Sequence, residues 1–373
     1  MGLLDTGSIS RVFRQYYDND TIFIHYNHTG KLGTPGRYKT GMKIEAILSL
    51  IMCVFIVLEN LLVLIAIWRN KKFHLPMYYL LANLTVSDLL AGVSYMVNIL
   101  LSGANTLRLT PLLWFLREGG VFITLAASVF SLLAIAVERH ITMERMKLYH
   151  EDKRYRMLAS VAGCWAVAGL LGILPILGWN CIGKLVDCST VLPLYSRYYV
   201  LCCIAVFIAI LLAIVVLYVR IYLLVKGSSP HMSSLRGGGA KKSHKYMALL
   251  KTLTIVVSTF ILCWLPLFIL LLLDFFGRVG WSWILYKSDY FLFLAILNSA
   301  LNPIIYTWTN KDMRRTIVRL LCLAKEGEKT QCFGVLMSEC SSQLDRSSHR
   351  HEALNTTLSS GNAPQSPTRT SFA

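Results

Sequence analysis

The sequence predicts an all-α membrane protein, a bundle of seven transmembrane helices with a short amphipathic helix after the seventh span. Hydrophobic residues make up 55% of the 373 residues and charged residues only 15%, against about 25% charged in a typical soluble domain. The apolar residues are concentrated in seven stretches, each long enough, at about 20 residues, to cross a bilayer. The connections between them are too short to fold alone. This pattern excludes a soluble enzyme, a disordered protein and a disulfide-rich miniprotein.

The chain divides into four parts around these stretches. Residues 1–43 form a polar, extracellular N-terminal tail without an apolar segment of signal-peptide length, so the first span is expected to act as the insertion signal. Residues 44–308 form the bundle, residues 309–322 an amphipathic helix at the membrane surface, and residues 323–373 a cytoplasmic tail expected to be disordered. The seven predicted spans are roughly 44–68, 77–102, 112–137, 157–179, 198–225, 247–273 and 282–308.

The distribution of basic residues predicts the orientation of the chain. Sixteen Lys and Arg residues lie in the connections on one side of the bundle, and five lie on the other side, namely Arg108, Lys184, Arg197, Arg278 and Lys287. Because cytoplasmic loops carry the excess of Lys and Arg, the N-terminus is placed outside the cell and the C-terminus in the cytoplasm, as in a multi-pass protein of the plasma membrane. Contact with anionic membrane lipids also accounts for the net charge of +17 without a nucleic-acid partner.

Five residues are candidates for covalent modification. Glycosylation sequons begin at Asn19 and Asn27, in the tail that this orientation places outside the cell. Cys322 ends the amphipathic helix, where palmitoylation would add a membrane anchor. Cys181 and Cys188 lie close together in a predicted extracellular loop, so a disulfide between them is expected in that oxidising compartment. Two free loop thiols are the alternative.

An acidic side chain in the middle of a predicted span is costly and usually marks function. Asp88 is such a residue in the second span, and oxygen-bearing side chains in other spans accompany it. Together they could bind a sodium ion or a water cluster, or could only fix helix packing through hydrogen bonds; the sequence leaves both open. The candidate sodium ligands are Asp88, Ser128, Asn298 and Ser299. No other cofactor is expected.

A charged pair begins the third span near its predicted extracellular end. Arg117 and Glu118 stand above an apolar stripe of Val121, Phe122 and Leu125 at helical spacing. Arg binds phosphate through two parallel hydrogen bonds, and Glu would accept an ammonium group, so the arrangement suits a zwitterionic lipid with a long tail. The alternatives are a structural ion pair at the water interface and ordinary core packing by the stripe.

Six motifs in a fixed order now resemble the rhodopsin-like G-protein-coupled receptors. One occurs in each of six helices, in this order, and the fifth span adds Tyr218 without the proline often found there. The motifs are Asn60, Leu84-Thr85-Val86-Ser87-Asp88, Glu138-Arg139-His140, Trp165, Cys263-Trp264-Leu265-Pro266 and Asn302-Pro303-Ile304-Ile305-Tyr306.

Within that class the chain is most similar to the sphingosine 1-phosphate receptors, over about residues 24 to 322. Glu118 matters most, because the related lysophosphatidic acid receptors typically carry Gln there. The stretches that carry this resemblance are residues 25–32, 72–74, 114–119, 178–181 and 188–195.

The resemblance implies roles for particular residues. Those matching the ligand-binding residues of the family are Tyr26, Lys31, Asn98, Ser102, Arg117, Glu118, Phe122, Leu125, Phe207, Trp264 and Leu271. Those matching its activation switch are Glu138, Arg139, Tyr218, Trp264, Pro266, Asn302, Pro303 and Tyr306. In the family the first set holds phosphate, ammonium and alkyl chain, and the second set opens a groove for the G protein.

The expected function is a receptor, not an enzyme, that converts extracellular binding of sphingosine 1-phosphate into activation of a heterotrimeric G protein. The family default is a Gi-type G protein, with arrestin and receptor kinases as further partners. A receptor for another lysophospholipid, such as lysophosphatidic acid, is the alternative within the class. An alternative from another class is a transporter or proton relay built on Asp88 and Glu59, but the inverted repeats typical of such proteins are not found in the sequence.

Overall fold

A computed structural model describes residues 16–18, 20–33, 44–74, 76–144, 153–232, 239–277, 282–285 and 287–323. Within these ranges the chain is mainly helical. The helices are α1 (Asp20–His28), α2 (Ile44–Arg69), α3 (Pro76–Leu100), α4 (Pro111–Glu144), α5 (Lys153–Ile173), α6 (Arg197–Met232), α7 (Gly239–Phe276), α8 (Ser282–Leu285), α9 (Ser288–Thr309) and α10 (Lys311–Leu323). Short 3₁₀ helices lie at Lys31–Gly33, Lys71–Phe73, Gly103–Arg108 and Leu185–Asp187.

The predicted fold class is confirmed. Among the described helices, α2 to α7 and α9 are each long and apolar enough to cross a membrane, which makes this a multi-pass membrane protein. Large apolar side chains such as Leu58, Leu212 and Leu262 are more than half exposed on the outer faces of these helices. A belt of this kind would promote aggregation in water, whereas the hydrocarbon of a bilayer solvates it.

The fourth and seventh predicted spans each include about six residues that lie outside the corresponding helix of the structure. The fourth was predicted to reach residue 179, but α5 ends at Ile173. Pro175 disfavours helical backbone at the residue before it, and Gly178 has a φ of +118°. The seventh was predicted from residue 282, but the short helix α8 comes first and a turn at Lys287 separates it from α9, with the Lys287 amide donating to the carbonyl of Ile284 at 2.9 Å.

Buried polar side chains join the spans to one another. The Asn60 amide on α2 donates to the carbonyl of Ser299 on α9 at 3.1 Å. Asn83 on α3 donates to the hydroxyl of Ser131 on α4 at 2.7 Å, and its oxygen accepts from the indole of Trp165 on α5 at 2.9 Å. Each bond satisfies a group that would be costly to leave unpaired in a membrane.

One end of the bundle, called the capped end below, is covered by α1 and by residues 174–196. Ile22 on α1 is fully buried. The backbone amide of Leu112 donates to the carbonyl of Tyr16 at 3.2 Å, and the Tyr16 hydroxyl donates to the carbonyl of Ile176 at 3.1 Å. The N-terminal segment is therefore fastened to the bundle on two sides.

A helix after the seventh span is also confirmed. The Asn310 side-chain oxygen accepts from the amides of Asp312 and Met313 at 3.0 and 3.2 Å and so caps the start of α10. The described residues up to Arg314 form one compact unit, and Arg315 begins a second. The four predicted chain regions and the membrane-surface position of this helix stay predictions.

Candidate functional site

A deep cavity opens beneath the capped end, and all eleven predicted ligand-binding residues lie on its wall. They come from the N-terminal segment and from α3, α4, α6 and α7. The lining residues include Tyr26, Lys31, Asn98, Ser102, Arg117, Glu118, Phe122, Leu125, Phe207, Trp264 and Leu271. The cavity thus brings together side chains that are more than 200 residues apart in sequence.

The roof of the cavity is formed by α1 and the turn after it. The Tyr26 hydroxyl accepts a hydrogen bond from the indole of Trp114 at 2.9 Å, and the Lys31 ammonium donates to the carbonyl of Val191. Burial raises the pKa of the Tyr26 hydroxyl above its ordinary value, an effect that the positive charge of Arg117 partly offsets. Tyr26 therefore stays neutral at physiological pH and serves as a hydrogen-bonding group in the roof.

Residues 174–196 form the second part of the roof, and the expected disulfide closes it. Cys181 and Cys188 are bonded, with their Cα atoms 5.3 Å apart. The Asp274 carboxylate at the end of α7 accepts from the hydroxyl of Ser189 at 2.5 Å and from the amide of Thr190 at 3.0 Å. Sequence reasoning missed Asp274, because nothing in the local sequence shows which distant loop its carboxylate contacts.

Arg117 and Glu118 form an ion pair on the cavity wall. The Arg117 Nη2 atom lies 2.6 Å from Glu118 Oε1, and the two side chains are only 3% and 15% exposed. Arg117 Nη1 donates to the carbonyl of Leu101 at 2.7 Å and to the hydroxyl of Thr106 at 2.9 Å. Both sequence interpretations of the pair therefore fit the geometry, since the residues stabilise each other and also face the cavity.

Three polar side-chain atoms of residues that line the cavity make no hydrogen bond to the described residues. The Glu118 ion pair uses Oε1, while Oε2 makes no hydrogen bond within the described part of the chain. The Asn98 amide nitrogen and the Trp264 indole nitrogen are buried without a partner in the same part of the chain. Because an unpaired buried polar group is costly, a ligand that donates to the carboxylate oxygen and accepts from the two nitrogens would be favoured.

The inner part of the cavity is aromatic. Phe207 on α6 lies with its ring centroid 5.9 Å from that of Phe122 and 6.1 Å from that of Trp264. On α7, the ring centroids of Phe268 and Trp264 are 5.5 Å apart. These rings make an apolar sleeve below the ion pair, which suits a long alkyl chain.

Oxygen atoms converge on Asp88 farther down the bundle. Asp88 Oδ1 accepts from the hydroxyls of Ser128 at 2.8 Å and Ser299 at 3.0 Å, and Oδ2 accepts from the Asn302 amide at 2.8 Å. The side-chain oxygens of Asn298 and Asn302 are buried without a hydrogen bond among the described residues. The predicted polar cluster therefore exists as a unit that joins α3, α4 and α9.

The remaining predicted switch residues lie on α4, α6, α7 and α9. Pro266 and Pro303 interrupt the hydrogen bonding of α7 and α9. Arg139 and Tyr306 both lie near Tyr218. Glu138 accepts from Arg156 at 2.8 Å and from Thr142 at 3.1 Å.

The predicted modification sites are only partly described. Asn27 is exposed on α1, whereas Asn19 lies outside the described residues. Cys322 lies in α10, but its side chain is outside the described part of the structure.

The family of the chain follows from comparison with known proteins. Residues 59–306 match the family of 7 transmembrane receptors (rhodopsin family). The chain is 50% identical to sphingosine 1-phosphate receptor 1 of Danio rerio over 93% of this chain and 99% of the relative. It is 54% identical to sphingosine 1-phosphate receptor 3 of Takifugu rubripes over 82% and 78% of the two chains. For sphingosine 1-phosphate receptor 2 of Homo sapiens the identity is 50%, over 86% and 88%.

These relatives are receptors rather than enzymes. The chain belongs to the rhodopsin family of seven-transmembrane receptors and, within it, to the sphingosine 1-phosphate receptors.

Proposed function

We propose that the receptor binds sphingosine 1-phosphate in the cavity beneath the capped end. The observation that carries this proposal is the ion pair of Arg117 and Glu118 above an apolar sleeve. Arg117, with Lys31 in the roof, binds the phosphate, and the unbonded oxygen of Glu118 accepts the ammonium group. Asn98 and Ser102 provide polar contacts beside the head group.

The alkyl chain supplies most of the gross binding energy. Phe122, Leu125, Phe207 and Leu271 surround it above Trp264. At about 0.8 kcal/mol per buried CH₂, about a dozen methylenes contribute on the order of 10 kcal/mol before the costs of association. The charged head instead supplies selectivity, because a ligand without an amine leaves Glu118 without its new partner.

The proposed orientation places the capped end outside the cell and the receptor in the plasma membrane. It rests on the excess of Lys and Arg in the opposite connections. Asn27 is exposed on the capped side, as a glycosylation site requires, and Asn19 is proposed as a second one. Palmitoylation of Cys322 would tie the helix after the seventh span to the inner leaflet and its anionic lipids.

Ligand binding is proposed to act through Trp264, which lies at the base of the sleeve and two residues before Pro266. A ligand that binds the open state more tightly shifts the population towards it. Arg139, Tyr218 and Tyr306 would then rearrange at the far end and admit a heterotrimeric G protein, with Gi-type coupling proposed from family resemblance. Receptor kinases and arrestin are proposed to act on the Ser- and Thr-rich C-terminal region.

A sodium ion is proposed as an allosteric ligand at Asp88. The donors fit such an ion, because sodium prefers oxygen ligands and the Asn298 side-chain oxygen is buried without a partner among the described residues. Asp88, Ser128, Asn298 and Ser299 would hold it. Its chemistry would be purely electrostatic, offsetting the carboxylate charge inside the membrane.

The test compares two lipids on the same cells. With the receptor at the surface, sphingosine 1-phosphate is expected to activate G protein at concentrations where lysophosphatidic acid does not. Response to lysophosphatidic acid alone would favour the other lysophospholipid function. Charge movement across the membrane without G-protein activation would favour the transporter or proton relay.

A further inference from the structure

A second groove runs along the outside of the bundle between α4 and α5, and is called the α4–α5 groove below. One wall is a stripe of α4 from Phe130 to Ile141, and the other is a stripe of α5 from Arg156 to Val167. Both stripes lie within the membrane-spanning segments. At a rise of about 1.5 Å per residue, each stripe is roughly 16 Å long, which is about half the thickness of a bilayer core.

The groove is apolar along most of its length and opens sideways. Val137 and Val167 on its two rims are 39% and 43% exposed. Gly163 lies between them on the α5 wall, and a Cβ atom at that position would meet no other atom within 4 Å. The missing side chain leaves a slot that faces hydrocarbon, where an acyl chain gains the dispersion contacts that an empty slot would lose.

One end of the groove is charged. Arg156 donates from Nη2 to Glu138 Oε2 at 2.8 Å and from Nε to the same oxygen at 3.1 Å. Its Nη1 atom makes no hydrogen bond to the described residues, and the side chain is 32% exposed. Arg154 lies two residues before Arg156, near the start of α5, and is exposed. Among the described side chains, Glu138 pairs with Arg156 and none forms an ion pair with Arg154, so this end suits an anion.

We propose that the α4–α5 groove binds one acyl chain of an anionic bilayer phospholipid, with its phosphate at Arg156. The bound lipid keeps the guanidinium between the phosphate and Glu138. Because Glu138 precedes Arg139 in the chain, an occupied groove favours the arrangement in which Glu138 is paired with Arg156. This site is separate from the cavity beneath the capped end and does not depend on which agonist that cavity binds.

The direct test is photolabelling of the purified full-length receptor in phosphatidylcholine nanodiscs. The probe is phosphatidylserine carrying a diazirine in one acyl chain, and the labelled residues are mapped by mass spectrometry. The label is expected to concentrate on the two stripes of the groove. Labelling spread evenly over the lipid-facing surfaces of the spans would overturn the proposal.

A pair of matched variants separates the groove from general contact with lipid. Gly163→Leu fills the slot and is expected to reduce labelling of the stripes several-fold. Gly169→Leu is the control, because Gly169 lies on the same helix, also has no atom within 4 Å of the missing Cβ, and does not line the groove. The melting temperatures of both variants report whether they fold. Equal labelling of the two folded variants would contradict the assignment.

The head group is tested with the same receptor and a different probe. Phosphatidylcholine carrying the same diazirine chain is expected to label the stripes less than phosphatidylserine, and free inorganic phosphate is expected to leave labelling unchanged. Equal labelling by the two lipids would overturn the anionic head group. Loss of labelling with inorganic phosphate would show that the anion at Arg156 comes from solution.

Discussion

At the scale of single residues, Glu118 distinguishes between ligands. One of its oxygens is held by Arg117 at 2.6 Å, and the other faces the cavity without a hydrogen bond to the described residues. The sequence predicted this pair but could not decide between a structural and a ligand-binding role. The geometry explains why: the same carboxylate stabilises a buried guanidinium and presents a free acceptor.

Replacing Glu118 by Gln should weaken the response to sphingosine 1-phosphate by about 10- to 100-fold. The reason is the loss of a hydrogen bond to a charged group, worth about 1.5–3 kcal/mol. A ligand without an amine should lose much less. Concentration–response curves for both ligands measure the difference, with Asp187→Asn as a control for a carboxylate at the same end but outside the cavity. An equal loss for both ligands would remove Glu118 from the head-group site.

Tyr195 gives a second prediction at this scale, in alkaline solution. Burial raises the pKa of its hydroxyl well above the ordinary value of 10.0, and the nearby Glu118 carboxylate raises it further. Above pH 10 the unfolded chain releases this proton while the folded receptor retains it, so the free energy of unfolding falls as the pH rises. Below about pH 9 the tyrosine is protonated in both the folded and the unfolded chain, so it does not make the free energy of unfolding depend on pH.

Melting temperatures of the receptor in nanodiscs between pH 8 and pH 11 check this expectation. The decline should become shallower in Tyr195→Phe, which removes the buried hydroxyl. Tyr198→Phe is the matched control, because Tyr198 is 56% exposed. If the melting temperatures of the two variants and the parent fall equally between pH 8 and pH 11, the buried hydroxyl of Tyr195 does not cause the loss of stability in alkaline solution.

At the scale of elements, the roof is held by contacts that its own sequence does not reveal. The disulfide could be predicted, because Cys181 and Cys188 are close in sequence. The tether from Ser189 and Thr190 to Asp274 could not, because it joins residues about 85 positions apart. The end of α5 could not be predicted from hydropathy either. The apolar sequence continues to Trp179, but Pro175 and the positive φ of Gly178 are incompatible with a continuous helix.

Replacing Asp274 by Ala should loosen the roof. Three hydrogen bonds to a carboxylate are lost, from the Ser189 hydroxyl and from the amides of Thr190 and Val191. A hydrogen bond to a charged group is worth about 1.5–3 kcal/mol, so bound ligand should dissociate at least several-fold faster. Radioligand dissociation measures this rate. Asp187→Ala is the control, because Asp187 lies in the roof segment 174–196 but does not line the cavity. Unchanged dissociation in Asp274→Ala with normal surface expression would mean that the roof does not limit ligand exit.

At the scale of the whole molecule, hydropathy was enough to predict the seven spans, because the bilayer imposes one length and one polarity on each of them. Hydropathy does not specify which faces turn inward. Asp88, Ser128 and Ser299 were grouped only because polar residues inside membranes are costly, and the structure joins them within 3.0 Å. Helical spacing grouped four of the eleven cavity residues, namely Arg117, Glu118, Phe122 and Leu125. The other seven were grouped by family resemblance, since no periodicity relates Tyr26 to Trp264.

The central claim is that one cavity recognises both the zwitterionic head and the long chain of sphingosine 1-phosphate. The most direct measurement is G-protein activation by sphingosine 1-phosphate and by lysophosphatidic acid, side by side, in cells with low background and confirmed surface receptor. A saturable response to sphingosine 1-phosphate, absent with lysophosphatidic acid, is the predicted result. Silence to sphingosine 1-phosphate from receptor present at the surface would contradict it.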